Sequence, residues 1–355
     1  MHRIVISCRE AGKPVNSEFQ MHIALVHGSV VPPRRYGGTE RVVAWLAQGL
    51  LELGHRVTLV CPEGSQIEGC TRADAVPQDA DLTHYMATPS ELLHSHSDSQ
   101  SVSQAASRAR QKPYLVTIHG NGKPGERFLK NTVFLSKRHA RNHGSEHFVY
   151  NGIRMEDYAC DPVREPYLVF LAKASWKVKN LAGSIELARS LDLPLWVMGS
   201  RSYPWNLQRK LPSFGGVRYL GMVNDTEKRE ILRKATALLF PVRWEEPFGL
   251  AIIEALASGC AVFGTPYGSL PELVSHDVGG LNSSPEELAR IFREFRFSPE
   301  ASRAHAANNF SHHHMAQAYV RYYEQVLEHG ELSGSHPRVR EDWNADELLP
   351  WGSLV

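Results

Sequence analysis

Two carboxylates, Glu246 and Glu254, stand with seven residues between them in the stretch "EEPFGLAIIEALASGCAVFGTP". Pro-Phe-Gly cannot continue a strand, and the apolar run after it has helical spacing. A helix is therefore predicted from Gly249 or Leu250. Glu246 then lies just ahead of that helix, and Glu254 falls in its second turn. Acids so placed can each accept hydrogen bonds from two neighbouring hydroxyls, as a ribose or a hexose presents them. Each also has a plainer reading. Glu246 suits a negative charge at a helix N-terminus. Glu254 suits a solvent-exposed side chain, or a member of the small-residue stripe Ala251, Glu254, Ala255 and Ser258. Buried without a partner, it would be costly.

Other residues of this kind follow apolar segments. After "HIALVH" comes "GSVVPPRRYGGTERVVAWL", where Gly37-Gly38 precede Thr39, a good N-cap, and Glu40. Glycines there let backbone amides approach a phosphate or a sugar, or simply make a turn into a helix. After "YLVTI" comes His119-Gly120, placed to donate into a cleft or to be satisfied within the core. After "YLVFLA" comes "KASWKVKN", whose Lys173, Lys177 and Lys179 suit a diphosphate as point charges, or an ordinary solvated surface. Neither G-x-G-x-x-G nor a P-loop occurs. "DAD" (79–81) precedes its strand and reads as a decoy. "HHH" (312–314) reads as a solvated helix start, because consecutive helical residues do not share a face.

These loops need a frame that gathers them. Short apolar segments, four to six residues long and rich in β-branched residues, recur with amphipathic stretches such as "TERVVAWLAQGLLELG" between them. That alternation predicts an α/β fold of two doubly wound parallel sheets. A linker is expected near residues 152–166. The boundaries are drawn at 1–160, with 1–20 as an extension, at 161–315, and at 316–355 for a last helix crossing back and a polar, loosely ordered tail. In parallel sheets ligands bind beyond the carboxyl ends of the strands, so two such sheets would share one cleft.

Composition removes several classes. A chain of 355 residues suits two domains. The net charge of +1 gives no bulk attraction for nucleic acid. Five scattered cysteines without a C-x-x-C pair read as reduced thiols in a cytoplasmic protein. No apolar run reaches the ~18–20 residues that span a bilayer, so membrane contact is expected to be peripheral at most.

Taken together, "EEPFGLAIIEALASGCAVFGTPYGSLPELV", "VPPRRYGGTERVVAWLAQGLLELGHRVTLV", "VTIHG", "VYNGIRMEDY" and "FSHHHMAQAYVRYYEQVL" resemble the retaining glycosyltransferases of family 4, which carry an E-x7-E signature. The likeness covers roughly residues 21–330. It implies a GT-B fold, two Rossmann-like domains facing across a cleft. It implies a UDP- or GDP-sugar donor and a sugar, lipid-linked glycan or small-molecule acceptor. No metal and no cofactor is implied at the site, and a homodimer is compatible with it. By motif position Glu254 would bind the ribose hydroxyls. Glu246 would contact the donor sugar, with Phe248, Gly249 and Leu250 offering backbone amides. Gly37 and Gly38 would approach the diphosphate, and His119 would bind the transferred sugar. Lys173 and Lys179 would neutralise the diphosphate, with Lys173 standing where the family has Arg. The rival is a non-catalytic nucleotide-sugar-binding protein with a degenerate site. Residues 84–112 are expected to recognise the acceptor.

Overall fold

The computed structural model describes residues 20–33, 37–86, 112–200, 216–345 and 347–352. These residues build two six-stranded sheets. The first contains β1 (His22–Val26), β2 (Arg56–Val60), β3 (Thr71–Ala73), β4 (Leu82–Tyr85), β5 (Tyr114–Thr117) and β6 (Thr132–Val133). Their order is β3-β2-β1-β4-β5-β6. The second contains β7 (Glu165–Leu171), β8 (Leu195–Met198), β9 (Val217–Gly221), β10 (Ala235–Phe240), β11 (Ala261–Gly264) and β12 (Gly279–Leu281), in the order β12-β11-β10-β7-β8-β9. All the pairings are parallel. Both sheets thus have the doubly wound order, which reverses between β1 and β4 in one and between β7 and β10 in the other. The central strands are apolar through and through: Ile23, Ala24 and Leu25 of β1 and Leu168, Val169 and Phe170 of β7 are fully buried. Residues covered on both faces explain why these segments read as continuous runs.

Two edge strands escape the apolar pattern. β3 is exposed and polar, and β12 reads "GGL". Gly279 has a backbone reason: a Cβ there would run into the Val262 carbonyl of β11. "TVFLS" yields only the two residues of β6, and "HFVYN" only a bridge between Phe134 and Phe148. Side-chain caps start several helices. Asn224 closes a capping box with Glu227 at α4 (Asp225–Lys234). Asn180 caps α3 (Leu181–Ser190), and Ser311 caps α9 (His312–His329). α1 (Gly38–Glu52) differs from expectation: Gly37 occupies the cap position and Thr39 lies inside the first turn.

α9 crosses back onto the first lobe and packs along α1. Gly49 makes this possible, since a Cβ there would meet Ala316 and the His312 carbonyl at 2.8 Å. Buried Tyr319 and Tyr323 anchor the helix, bonding Thr117 at 2.9 Å and His84 at 2.7 Å. The tail after α9 is not loose. Its Pro337 carbonyl accepts from Phe128 N–H, and Val339, fully buried, donates to Glu126. Further on, Leu349 and Arg243 exchange hydrogen bonds at 2.8 Å, so one short segment ties the first lobe to the second. None of the described helices is long and apolar enough to cross a membrane. Cys61, Cys70, Cys160 and Cys260 are free thiols.

Candidate active site

The loops at the two strand-order reversals face each other around one cavity of about 500 Å³. That size suits a small-molecule ligand. Gly37, Gly38, His119, Lys173, Lys179, Glu246, Phe248, Gly249, Leu250 and Glu254 all line it. Lys177 is not among the lining residues; the 3₁₀ turn Lys177–Lys179 aims its last lysine inward. Residues 87–111, most of the stretch expected to recognise an acceptor, lie outside the described residues.

Glu246 follows β10 and is 7% exposed. Its Oε2 accepts from Lys179 Nζ at 2.5 Å and from Trp244 Nε1 at 2.6 Å. The backbone beneath it is clamped by the loop after β11. Gly268 donates to Glu245, Ser269 donates to the Glu246 carbonyl at 2.9 Å, and Gly268 sits at φ 61° where a Cβ would strike the Glu246 backbone. Glu254 lies in α5 (Leu250–Ala257) and is 6% exposed. It is therefore not the solvated side chain of its plainer reading. Its Oε1 accepts from Lys228 Nζ at 2.5 Å and Tyr158 OH at 2.8 Å. Burial and the neighbouring carboxylate both push the Tyr158 phenol well up, so it remains a donor. On each acid, the other carboxylate oxygen has no hydrogen-bond partner among the described residues.

Phe248 is buried against Tyr150 and Phe310. Its side chain is structural, and it seats Gly249, at φ 89°, as the cap of α5. The first amides of α5 lack intrahelical acceptors and carry the positive end of the helix dipole. Lys179 also lies over the Trp244 ring at 4.8 Å. Lys173 is different: it is exposed, rests over Trp176 at 4.8 Å, and has no carboxylate partner among the described residues.

Across the cavity the first lobe offers mostly uncharged groups. His119 follows β5. Its Nε2 is buried with no hydrogen-bond partner among the described residues. Burial first, then His27, lowers its pKa to about 3, so the ring is neutral. The loop behind it is held by two further imidazoles. His139 bonds the Gly120 carbonyl at 3.0 Å, and His143 accepts from Gly122 N–H at 2.7 Å. The lobes touch directly as well. Gly38 comes so near Leu250 that a Cβ would approach its side chain at 3.3 Å. Arg41 of α1 pairs with Asp225 of α4 at 2.8 Å, and Asp225 shares Lys228 with Glu254. Burial pushes the Asp225 carboxyl up, but Lys228 and Arg41 outweigh it and hold it low. Arg138 grips Glu245 with two bonds, at 2.8 and 3.0 Å.

Sequence reasoning missed Tyr158, Lys228, Asp225 and Arg41. Tyr158 sits in a segment that reads as a linker, and Lys228 in a helix whose charges look solvated. The only available signal was negative: a carboxylate inside "AIIEALA" requires a buried cation, without saying which.

Comparison with known proteins completes the picture. The family Glycosyl transferases group 1 matches residues 165–295, the span of the second sheet. A phosphatidyl-myo-inositol mannosyltransferase of Mycolicibacterium smegmatis is 22% identical over 276 residues, 64% of this chain and 72% of that protein. The O-antigen chain mannosyltransferase B of Escherichia coli is 30% identical over 123 residues, 32% of each. Among solved structures, AviGT4, a glycosyltransferase involved in avilamycin A biosynthesis, superposes with a TM-score of 0.69 at 22% identity, covering 89% of this chain and 99% of its own. Anabaena HepE in complex with UDP and glucose gives 0.62 at 16% identity, covering 86% and 100%. The solved structures share the GT-B fold, two Rossmann-like domains around a cleft. With the group 1 match in its second lobe and mannosyltransferases among its sequence relatives, this chain is a GT-B glycosyltransferase.

Proposed function

We propose that the protein transfers a sugar, with retention and without a metal at the reacting centre, from a UDP- or GDP-sugar to an acceptor hydroxyl, as a member of family 4 with Glu246 and Glu254 as its E-x7-E pair. One observation carries this reading. Both acids are buried in the wall of a single inter-lobe cavity, each fixed by a lysine through one oxygen and, among the described residues, unpartnered on the other. That leaves each acid an oxygen for a ligand hydroxyl: Glu254 for the ribose, Glu246 for the donor sugar. The nucleotide and sugar bound in HepE support the ligand class.

When the sugar–phosphate bond breaks, negative charge grows on the leaving diphosphate and positive charge on the sugar. Groups already fixed in place stabilise such charge most effectively. Lys173 has no carboxylate partner among the described residues, so its charge is available to the diphosphate. The amides of Gly37 and Gly38 and the first turn of α5 approach the same region. Lys179 acts beside it while holding Glu246 in position. Neutral His119 supplies a hydrogen bond to the sugar rather than a charge. Contacts between the lobes, such as Arg41 with Asp225, would limit the entry of water, which otherwise takes the place of the acceptor.

The test is incubation with labelled UDP- and GDP-sugars, with and without EDTA, following release of sugar and its anomeric form by NMR. Slow, EDTA-insensitive release with the donor's configuration supports the reading. Tight binding of a nucleotide-sugar with no turnover under any acceptor condition supports the degenerate binder instead.

A further inference from the structure

The cavity does not use a second cluster of ligand-type side chains, on the far end of α1. Glu52 is the last residue of that helix, and His312 and His313 are the first two of α9. Glu52 Oε2 lies 2.8 Å from His312 Nε2 and 3.1 Å from His313 Nε2. One donor atom from each of the three residues falls within 4.8 Å of the others. The two rings are tilted at 41° to each other with centroids 4.2 Å apart. "HHH" thus differs in part from its reading in the sequence. His312 is buried, His313 is exposed, and both turn to the same oxygen; His314 turns aside to bond Ser311. The backbones are held in register by the close crossing at Gly49.

We propose that Glu52, His312 and His313 bind a zinc-class divalent cation that clamps α9 to α1. Two imidazole nitrogens and one carboxylate oxygen form a donor set that Zn²⁺ accepts, leaving one position for water. With metal–ligand distances near 2.0–2.1 Å, the ligand atoms of a tetrahedral site stand about 3.4 Å apart. The present separations reach that geometry by small rotations of Glu52 and His313, which are 42% and 49% exposed and free to move. Their exposure also gives the cation an entry path. Glu52 has no lysine or arginine partner among the described residues that would compete for it. The clamp would fix the outer end of α1, whose inner end carries Gly37-Gly38 into the cavity.

The test uses the full chain without a histidine tag, stripped with chelator. It is titrated with ZnCl₂ by equilibrium dialysis and thermal melting, and with CoCl₂ by visible absorption. Wild type should take up one equivalent, melt higher in a manner that EDTA reverses, and show cobalt ligand-field bands. His313→Ala and Glu52→Gln should each weaken uptake at least roughly 10-fold, the loss typical of even an outer-shell partner. Both variants should melt like wild type when metal-free, because His313 is exposed and the amide oxygen introduced by Glu52→Gln still accepts from His312. The chain has 18 histidines, so uptake by itself is not sufficient. Uptake unchanged in both variants, or no uptake by wild type, overturns the proposal.

Discussion

The two lobes meet one cavity with opposite kinds of chemistry. The second lobe brings ions, and brings them mostly in pairs: Lys179 with Glu246, Lys228 with Glu254. The first brings glycine backbone and an imidazole kept neutral by burial. The difference teaches where preorganisation costs are met. In the second lobe the buried carboxylates are neutralised before any ligand arrives, so their free oxygens are rigid acceptors. In the first lobe His119 itself carries no charge to be desolvated, and the nearby Glu40 carboxyl is held low by its hydrogen bond with His27.

The contrast is broken most directly by removing one half of a buried pair. Lys228→Ala strands Glu254 with only the Tyr158 hydroxyl, and such losses typically cost about 3–5 kcal/mol. Urea melts should show that drop, whereas the same change at exposed Lys173 should leave the melt near wild type. For Lys173→Ala the loss should appear in turnover instead, about 10²–10³ in kcat. Affinity for the free nucleoside should be kept; equal losses in both would remove Lys173 from the transition state.

Acid sharpens the contrast from the other side. Burial holds His84 at about 3 and His143 at about 4, and lowers His139 well below its usual value. All three lie in the first lobe and are neutral when folded, but the unfolded chain binds protons near pH 6.5. Stability is therefore full above about pH 6.5 and lost as pH falls toward 4, by up to about 1.4 kcal/mol per pH unit for each histidine. Hydrogen exchange should show the first sheet opening before the second. The smallest expected change is Gly268→Ala. A side chain at φ 61° against the Glu246 backbone should cost about 1–3 kcal/mol and raise the KM for the donor. An unchanged KM would mean that the clamp does not position Glu246.

The fold was legible because the central strands are buried on both faces and so read as unbroken apolar runs. What failed to read were elements set by something other than apolarity. β12 exists because Gly279 lets β11 approach, and β3 is a polar edge. The tail reads as loose because its anchors are backbone hydrogen bonds, Pro337 to Phe128 and Leu349 to Arg243, which leave little trace in composition. The site divides in the same way. Residues directly after strands could be named from topology. Tyr158 and Lys228 could not, since each is defined by meeting Glu254 from 96 and 26 positions away. The solvated reading of the histidine run holds for exposed His313 and His314 and fails for buried His312, whose partner Glu52 is 260 positions distant.

The central claim is that Glu254 holds ribose hydroxyls. Calorimetric binding of the preferred nucleoside diphosphate and of its 2′,3′-dideoxy analogue, each to wild type and to Glu254→Gln, forms a double-mutant cycle. The account predicts a loss of roughly 10-fold or more when either the carboxylate or the hydroxyls are removed, and little further loss when both are. Independent, additive losses would contradict it, as would full affinity of Glu254→Gln for the intact nucleotide.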